Sequence, residues 1–68
     1  MLRVIDLYYY LNTLLLKHYS LTLTHYNTTL KIKLYKYGIH RQTWIFKPDT
    51  DFVFEKFKIV RYLMTLEI

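Results

Sequence analysis

Apolar and polar positions along this chain repeat with two different periods. Over residues 3–18, Leu7, Leu11, Leu14 and Leu15 recur at helical spacing with Val4 and Tyr8 beside them, which predicts an N-terminal helix. Tyr8, Tyr9 and Tyr10 follow one another and point round much of its circumference, so contact on more than one side is expected. Residues 19–24 switch to period two. Tyr19, Leu21 and Leu23 occupy one face and Ser20, Thr22 and Thr24 the other, as in a half-buried strand. His25, Tyr26 and Asn27 make a short connection, with Asn27 or Thr28 able to cap the next element.

Residues 30–37 carry both periods. Leu30, Ile32 and Leu34 alternate with Lys31 and Lys33, while Leu30, Leu34 and Tyr37 also fit i, i+4, i+7. The chain's one glycine, Gly38, stands directly after Tyr37, where a helix end favours a residue able to take positive φ. That weighs for a helix. Residues 43–46 are β-branched and aromatic and stop at Lys47-Pro48, which predicts a second strand. Pro48-Asp49-Thr50-Asp51 then supplies cap residues for a second helix, with Glu55 early, Lys56, Lys58 and Arg61 late, and Val53, Phe57 and Val60 as its apolar face. Residues 63–68 alternate again and predict a third strand. The expected fold class is α+β: a mainly antiparallel three-stranded sheet with two helices on one face. Residues 1–18 form a helical extension and residues 19–68 a β-α-β-α-β domain.

Several of these positions resemble a known family. Asp49-Thr50, then Val53, Phe57 and Val60, and finally Leu63-Met64-Thr65-Leu66-Glu67, are similar to the C-terminal half of the large-subunit ribosomal protein thirty family. Leu34, Tyr37-Gly38-Ile39 and Arg41 resemble the segment that ends that family's first helix, and Leu21-Thr22-Leu23 falls where its first strand would be. Asp51 stands where the family has proline, Glu55-Lys56-Phe57 replaces its Gly-Met-Ile, and the shorter run 25–29 replaces its basic turn. The resemblance implies the strand order 3-1-2, which would make the first strand central. It also implies a structural, non-enzymatic constituent of the large ribosomal subunit that binds folded ribosomal RNA beside neighbouring ribosomal proteins.

Composition adds a setting. The 68 residues include no alanine, one glycine and one proline, but eight tyrosines and twelve leucines, the bias of an AT-rich genome and so of an organelle or some viruses. A mitochondrial ribosome in the matrix, with the chain encoded in the organelle or the nucleus, is the expected location. A domain of this size buries only about 60% of the surface its unfolded chain exposes. Without cysteine to cross-link it, a partner is expected to complete it. Ten basic against five acidic residues give a net charge of +5, which favours a polyanion.

Candidate chemistry follows that charge. Lys31, Lys33, Lys36, His40, Arg41, Gln42 and Lys47 are the expected RNA-binding residues, because lysine and arginine contacts to phosphate dominate nucleic-acid affinity. Tyr8, Tyr9 and Tyr10 are expected at a protein contact, since tyrosine pairs an apolar ring with a polar tip. No catalytic role is expected. His18 and His25 are not joined in sequence by clustered acids, Ser20 is the one serine, and neither a metal site, a cofactor nor a small-molecule substrate is indicated. The apolar run 4–16 is interrupted by Asp6 and Asn12 and falls short of the roughly 20 residues a membrane-spanning helix needs, so no membrane span is expected. The alternative reading is a small accessory subunit of an organellar respiratory complex, with residues 4–18 against the bilayer. A viral DNA-binding protein would need a recognition helix or a symmetric dimer interface, and neither pattern is evident.

Overall fold

The computed structural model describes residues 2–15 and 17–66. Five elements follow one another: α1 (Leu2–Leu14), β1 (Tyr19–Tyr26), β2 (Thr29–Lys36), β3 (Ile39–Phe46) and α2 (Phe52–Thr65). The strands form an antiparallel sheet in the order β1-β2-β3. The α+β class and an antiparallel three-stranded sheet with two helices on one face agree with expectation, although one of the two is the N-terminal helix expected as an extension.

The element order does not. Residues 30–37 were expected as helix, but 30–36 belong to strand β2 and Tyr37 to the turn after it, and the reason lies in Gly38. Tyr37 and Gly38 both take positive φ, 54° and 77°, as the two central residues of a hairpin turn of the primed type require. A glycine after an apolar run serves a helix end and a hairpin equally well, so the alternation of Leu30, Ile32 and Leu34 with the lysines was the more telling signal. Asn27, at φ 55°, marks the other hairpin, between β1 and β2.

The expected third strand, 63–68, is also revised. Residues up to Thr65 continue α2, Leu66 is its C-cap and donates its backbone N–H to the Leu63 carbonyl at 3.1 Å, and Glu67 and Ile68 lie outside the described residues. No glycine or proline separates Arg61 from Leu63, so nothing stops the helix before Leu63 completes a buried i, i+4 pair with Ile59. With β2 in the middle, the order 3-1-2 and the central position of the first strand fall as well. Tyr19–Tyr26 is an edge strand.

One face of the sheet carries the core. Leu21 pairs with Leu34, Leu23 with Ile32, Ile32 with Trp44 and Leu30 with Phe46, so period-two alternation puts all of them on the same side. Val4, Leu7 and Leu11 of α1, with Ile59 and Leu63 of α2, close that side, and Leu11, Ile32, Leu34 and Ile59 are fully enclosed. α1 is therefore part of the one core. The Tyr8 hydroxyl ties it to β1 by donating to the Leu21 carbonyl at 3.3 Å.

The expected helix start at 48–51 holds. Asp51 is the N-cap and its Oδ1 accepts from the Phe54 N–H at 3.1 Å. Thr50 closes the turn before it: its Oγ1 accepts from the Lys47 N–H at 2.8 Å and its N–H donates to the Lys47 carbonyl at 3.0 Å. The expected apolar face of this helix needs correction. Ile59 and Leu63 are buried, whereas Val53 and Phe57 are exposed and Val60 is half-buried.

Candidate nucleic-acid interface

The sheet has helices on one side only, and its other side is a four-row grid. Register places Ser20, Tyr35 and His40 in one row, Thr22, Lys33 and Thr43 in the next, then Thr24, Lys31 and Ile45, and last Tyr26 with Thr29. The two lysines stand in the central strand with threonine hydroxyls beside them. Aromatic rings close both ends: Tyr35 meets His40 edge-on, with ring centres 5.7 Å apart, and Tyr26 is exposed. His40 Nε2 and Thr43 Oγ1 share a hydrogen bond at 2.6 Å, which ties one end row to the next.

A β-bulge shapes the edge. Leu34 pairs with Gln42 and Tyr35 with His40, so Arg41 is the additional residue on β3. Its side chain is exposed, at the margin of the lysine rows.

Among the described residues the acids are segregated from the strands. From Lys17 to Lys47 the chain contains Lys31, Lys33, Lys36 and Arg41 and no aspartate or glutamate. The described acids, Asp6, Asp49, Asp51 and Glu55, belong to the helices or the turn that leads into α2. Lysines at the centre of an acid-free platform attract phosphate, and hydroxyls around them can donate to phosphate or ribose oxygens.

Of the residues expected to bind RNA, the fold gathers Lys31, Lys33 and His40 on this face, with Arg41 at its margin. The others lie apart. Gln42 faces the helix side opposite Leu34, and its Oε1 accepts from the Thr43 N–H at 3.1 Å. Lys36 sits at the sheet end, its ammonium 5.3 Å from the Tyr19 ring centre and 6.0 Å from that of Tyr37, and Tyr37 stacks on His18 at 4.5 Å. Lys47 is exposed in the turn after β3. Among the expected protein-contact residues Tyr8 is half-buried on β1, while Tyr9 and Tyr10 are exposed.

The sequence places Thr22 and Thr24 on the polar face of one strand but does not join them with Tyr26, Tyr35 and Thr43 in one surface. The signal was present in the polar half of each alternation, but reading residues 30–37 as helix took Lys31, Lys33 and Tyr35 off any shared plane. Among the described residues no three or more His, Cys, Asp or Glu side chains are grouped so as to hold a metal ion, and no helix is long and apolar enough to cross a membrane. The chain matches no family model, no curated protein and no solved structure.

Proposed function

We propose that the chain is a non-enzymatic RNA-binding protein whose open sheet face takes the sugar–phosphate backbone of folded RNA. The observation that carries this reading is the acid-free grid with Lys31 and Lys33 at its centre. Both lysines are half-buried, which limits the conformational freedom lost on binding. Hydroxyl and lysine donors suit phosphate and 2′-hydroxyl contacts that recognise shape without reading base sequence.

The setting proposed with it is a ribonucleoprotein, in its specific form the large subunit of a mitochondrial ribosome in the matrix. That form rests on the sequence resemblance and the AT-biased composition. The element order observed here departs from the β-α-β-α-β order the resemblance implies, so the RNA reading itself rests on the charged face. The competing assignment to a membrane complex has less support, because Val4, Leu7 and Leu11, which it would set against a bilayer, are buried in the protein core.

Fluorescence anisotropy of the purified chain with a labelled RNA hairpin, across a salt series, tests the binding. Lys31→Gln with Lys33→Gln should lower the slope of log affinity against log salt by about one for each lysine removed, and by the same amount for unrelated hairpin sequences. An unchanged slope would remove the sheet face from the binding surface. Gradient sedimentation of a native organelle lysate tests the setting: comigration with the large ribosomal subunit that nuclease abolishes supports it, and nuclease-resistant comigration with a respiratory complex overturns it.

A further inference from the structure

The helix side of the molecule bears a second surface that the RNA reading does not use. Val53, Phe57, Val60 and Met64 succeed one another at spacings of four, three and four along α2, the repeat of a coiled-coil seam. At 3.6 residues per turn they form a stripe turned well away from the buried Ile59 and Leu63. Three of its four residues are uncovered: Val53 is 59%, Phe57 72% and Met64 65% exposed. Tyr10 of α1 meets Val53, Phe57 and Val60 across a groove of about 420 Å³, and Leu14 continues it beside Val60 and Met64. Exposed apolar surface of this kind, contiguous along one element, marks an interaction site.

The charges beside the stripe identify its occupant. Lys56 flanks it on the side of α1, where it also lines the adjoining hollow with Arg3 and Asp6. Arg61 flanks it on the side of β3, beside Gln42 and Trp44. Neither Lys56 nor Arg61 is paired with an acid among the described residues, where the ion pair is Lys58 with Glu55 at 3.4 Å. A second copy docked antiparallel along the stripe would gather both Lys56 side chains on one flank and both Arg61 side chains on the other, and a parallel copy would set Lys56 against Arg61. Both arrangements place like charges together. The groove is concave between two helices, whereas a bilayer surface accepts a protruding apolar ridge.

We propose that the α1–α2 groove docks an amphipathic helix of a partner protein, with apolar residues at heptad spacing and glutamate or aspartate on both flanks. Phe57 is the central anchor, and Lys56 and Arg61 set the charge specificity and the register. The chain thereby joins an acidic helix on one side to RNA on the other.

The test uses the full chain and a fluorescent synthetic peptide of about four heptads with leucine at both seam positions and glutamate at the flanking ones, with a lysine-flanked peptide as its counterpart. The glutamate peptide should bind saturably and gain helical circular dichroism, with the lysine peptide weaker by about tenfold or more. Phe57→Ser should cost about tenfold or more while leaving the thermal unfolding curve in place, and Lys56→Glu with Arg61→Glu should reverse the preference between peptides. Lys31→Gln with Lys33→Gln, on the opposite face, should leave peptide binding as it was, so the two surfaces stand or fall separately. Failure to bind the glutamate peptide, equal affinity for both peptides, or affinity indifferent to Phe57→Ser overturns the proposal. Self-association in sedimentation equilibrium that Phe57→Ser dissolves assigns the groove to a second copy. Binding to phosphatidylserine vesicles in place of the peptide assigns it to a membrane.

Discussion

Gly38 concentrates the backbone demands of this fold in one residue. It sits at φ 77°, yet a β-carbon added there would meet no atom within 4 Å. Any cost of Gly38→Ala is therefore conformational and not steric, about 1–2 kcal/mol for an L-residue in the left-handed region. The denaturant midpoint should fall by that amount at unchanged slope, and Gly38→Asn should fall less, since asparagine tolerates this region. Asp51 is a comparable single-residue determinant at the other end of the domain. Replacing it with alanine leaves the Phe54 N–H without its side-chain acceptor and should cost about 1 kcal/mol, measurable as a lowered thermal midpoint with the RNA affinity of the sheet face retained.

Among the elements, β2 has the greatest influence because it pairs on both edges and sends Ile32 and Leu34 into the core. Ile32→Ala should cost about 2–5 kcal/mol. A core of this size rarely supplies more than about 3–5 kcal/mol, so the variant should be largely unfolded by circular dichroism at 25 °C. By contrast, Phe57→Ser on exposed α2 should change stability by no more than about 0.5 kcal/mol. The strands were legible where alternation stood alone, in β1 and in the second half of β3, and α2 was legible from its cap. What could not be read from residues 30–37 was the competition between two periods that share Leu30 and Leu34. Pairing on both sides decides it, because strands β1 and β3 satisfy the backbone of β2 while Leu30, Ile32 and Leu34 pack into the core. Lys31, Lys33 and Arg41 were legible by charge alone, but the division of the candidate residues between the two faces depends on that same decision. The outward turn of Val53 and Phe57 could not be read at all, since an apolar stripe looks the same whether it meets this chain's core or a partner.

At the scale of the whole molecule, the chain is a flattened body of 33 × 21 × 17 Å with chemically opposed broad sides. Lysines and hydroxyls cover the sheet side. Apolar groups flanked by Lys56 and Arg61 run along the helix side. The net charge of +5 is thus distributed unevenly, and raising salt should weaken RNA binding steeply while an apolar helix contact in the groove weakens less.

The up-and-down connection of the three strands also bears on how the chain is made. Both ladders join neighbouring segments through two-residue turns, so the sheet can zip locally, without bringing distant parts of the chain together. α1 differs: it emerges from the synthesising ribosome before any of the strands whose side chains will cover Val4, Leu7 and Leu11. During that interval its apolar side lacks the shelter that those strands later give it. Slow translation through residues 15–36 would prolong the interval and favour capture by a chaperone.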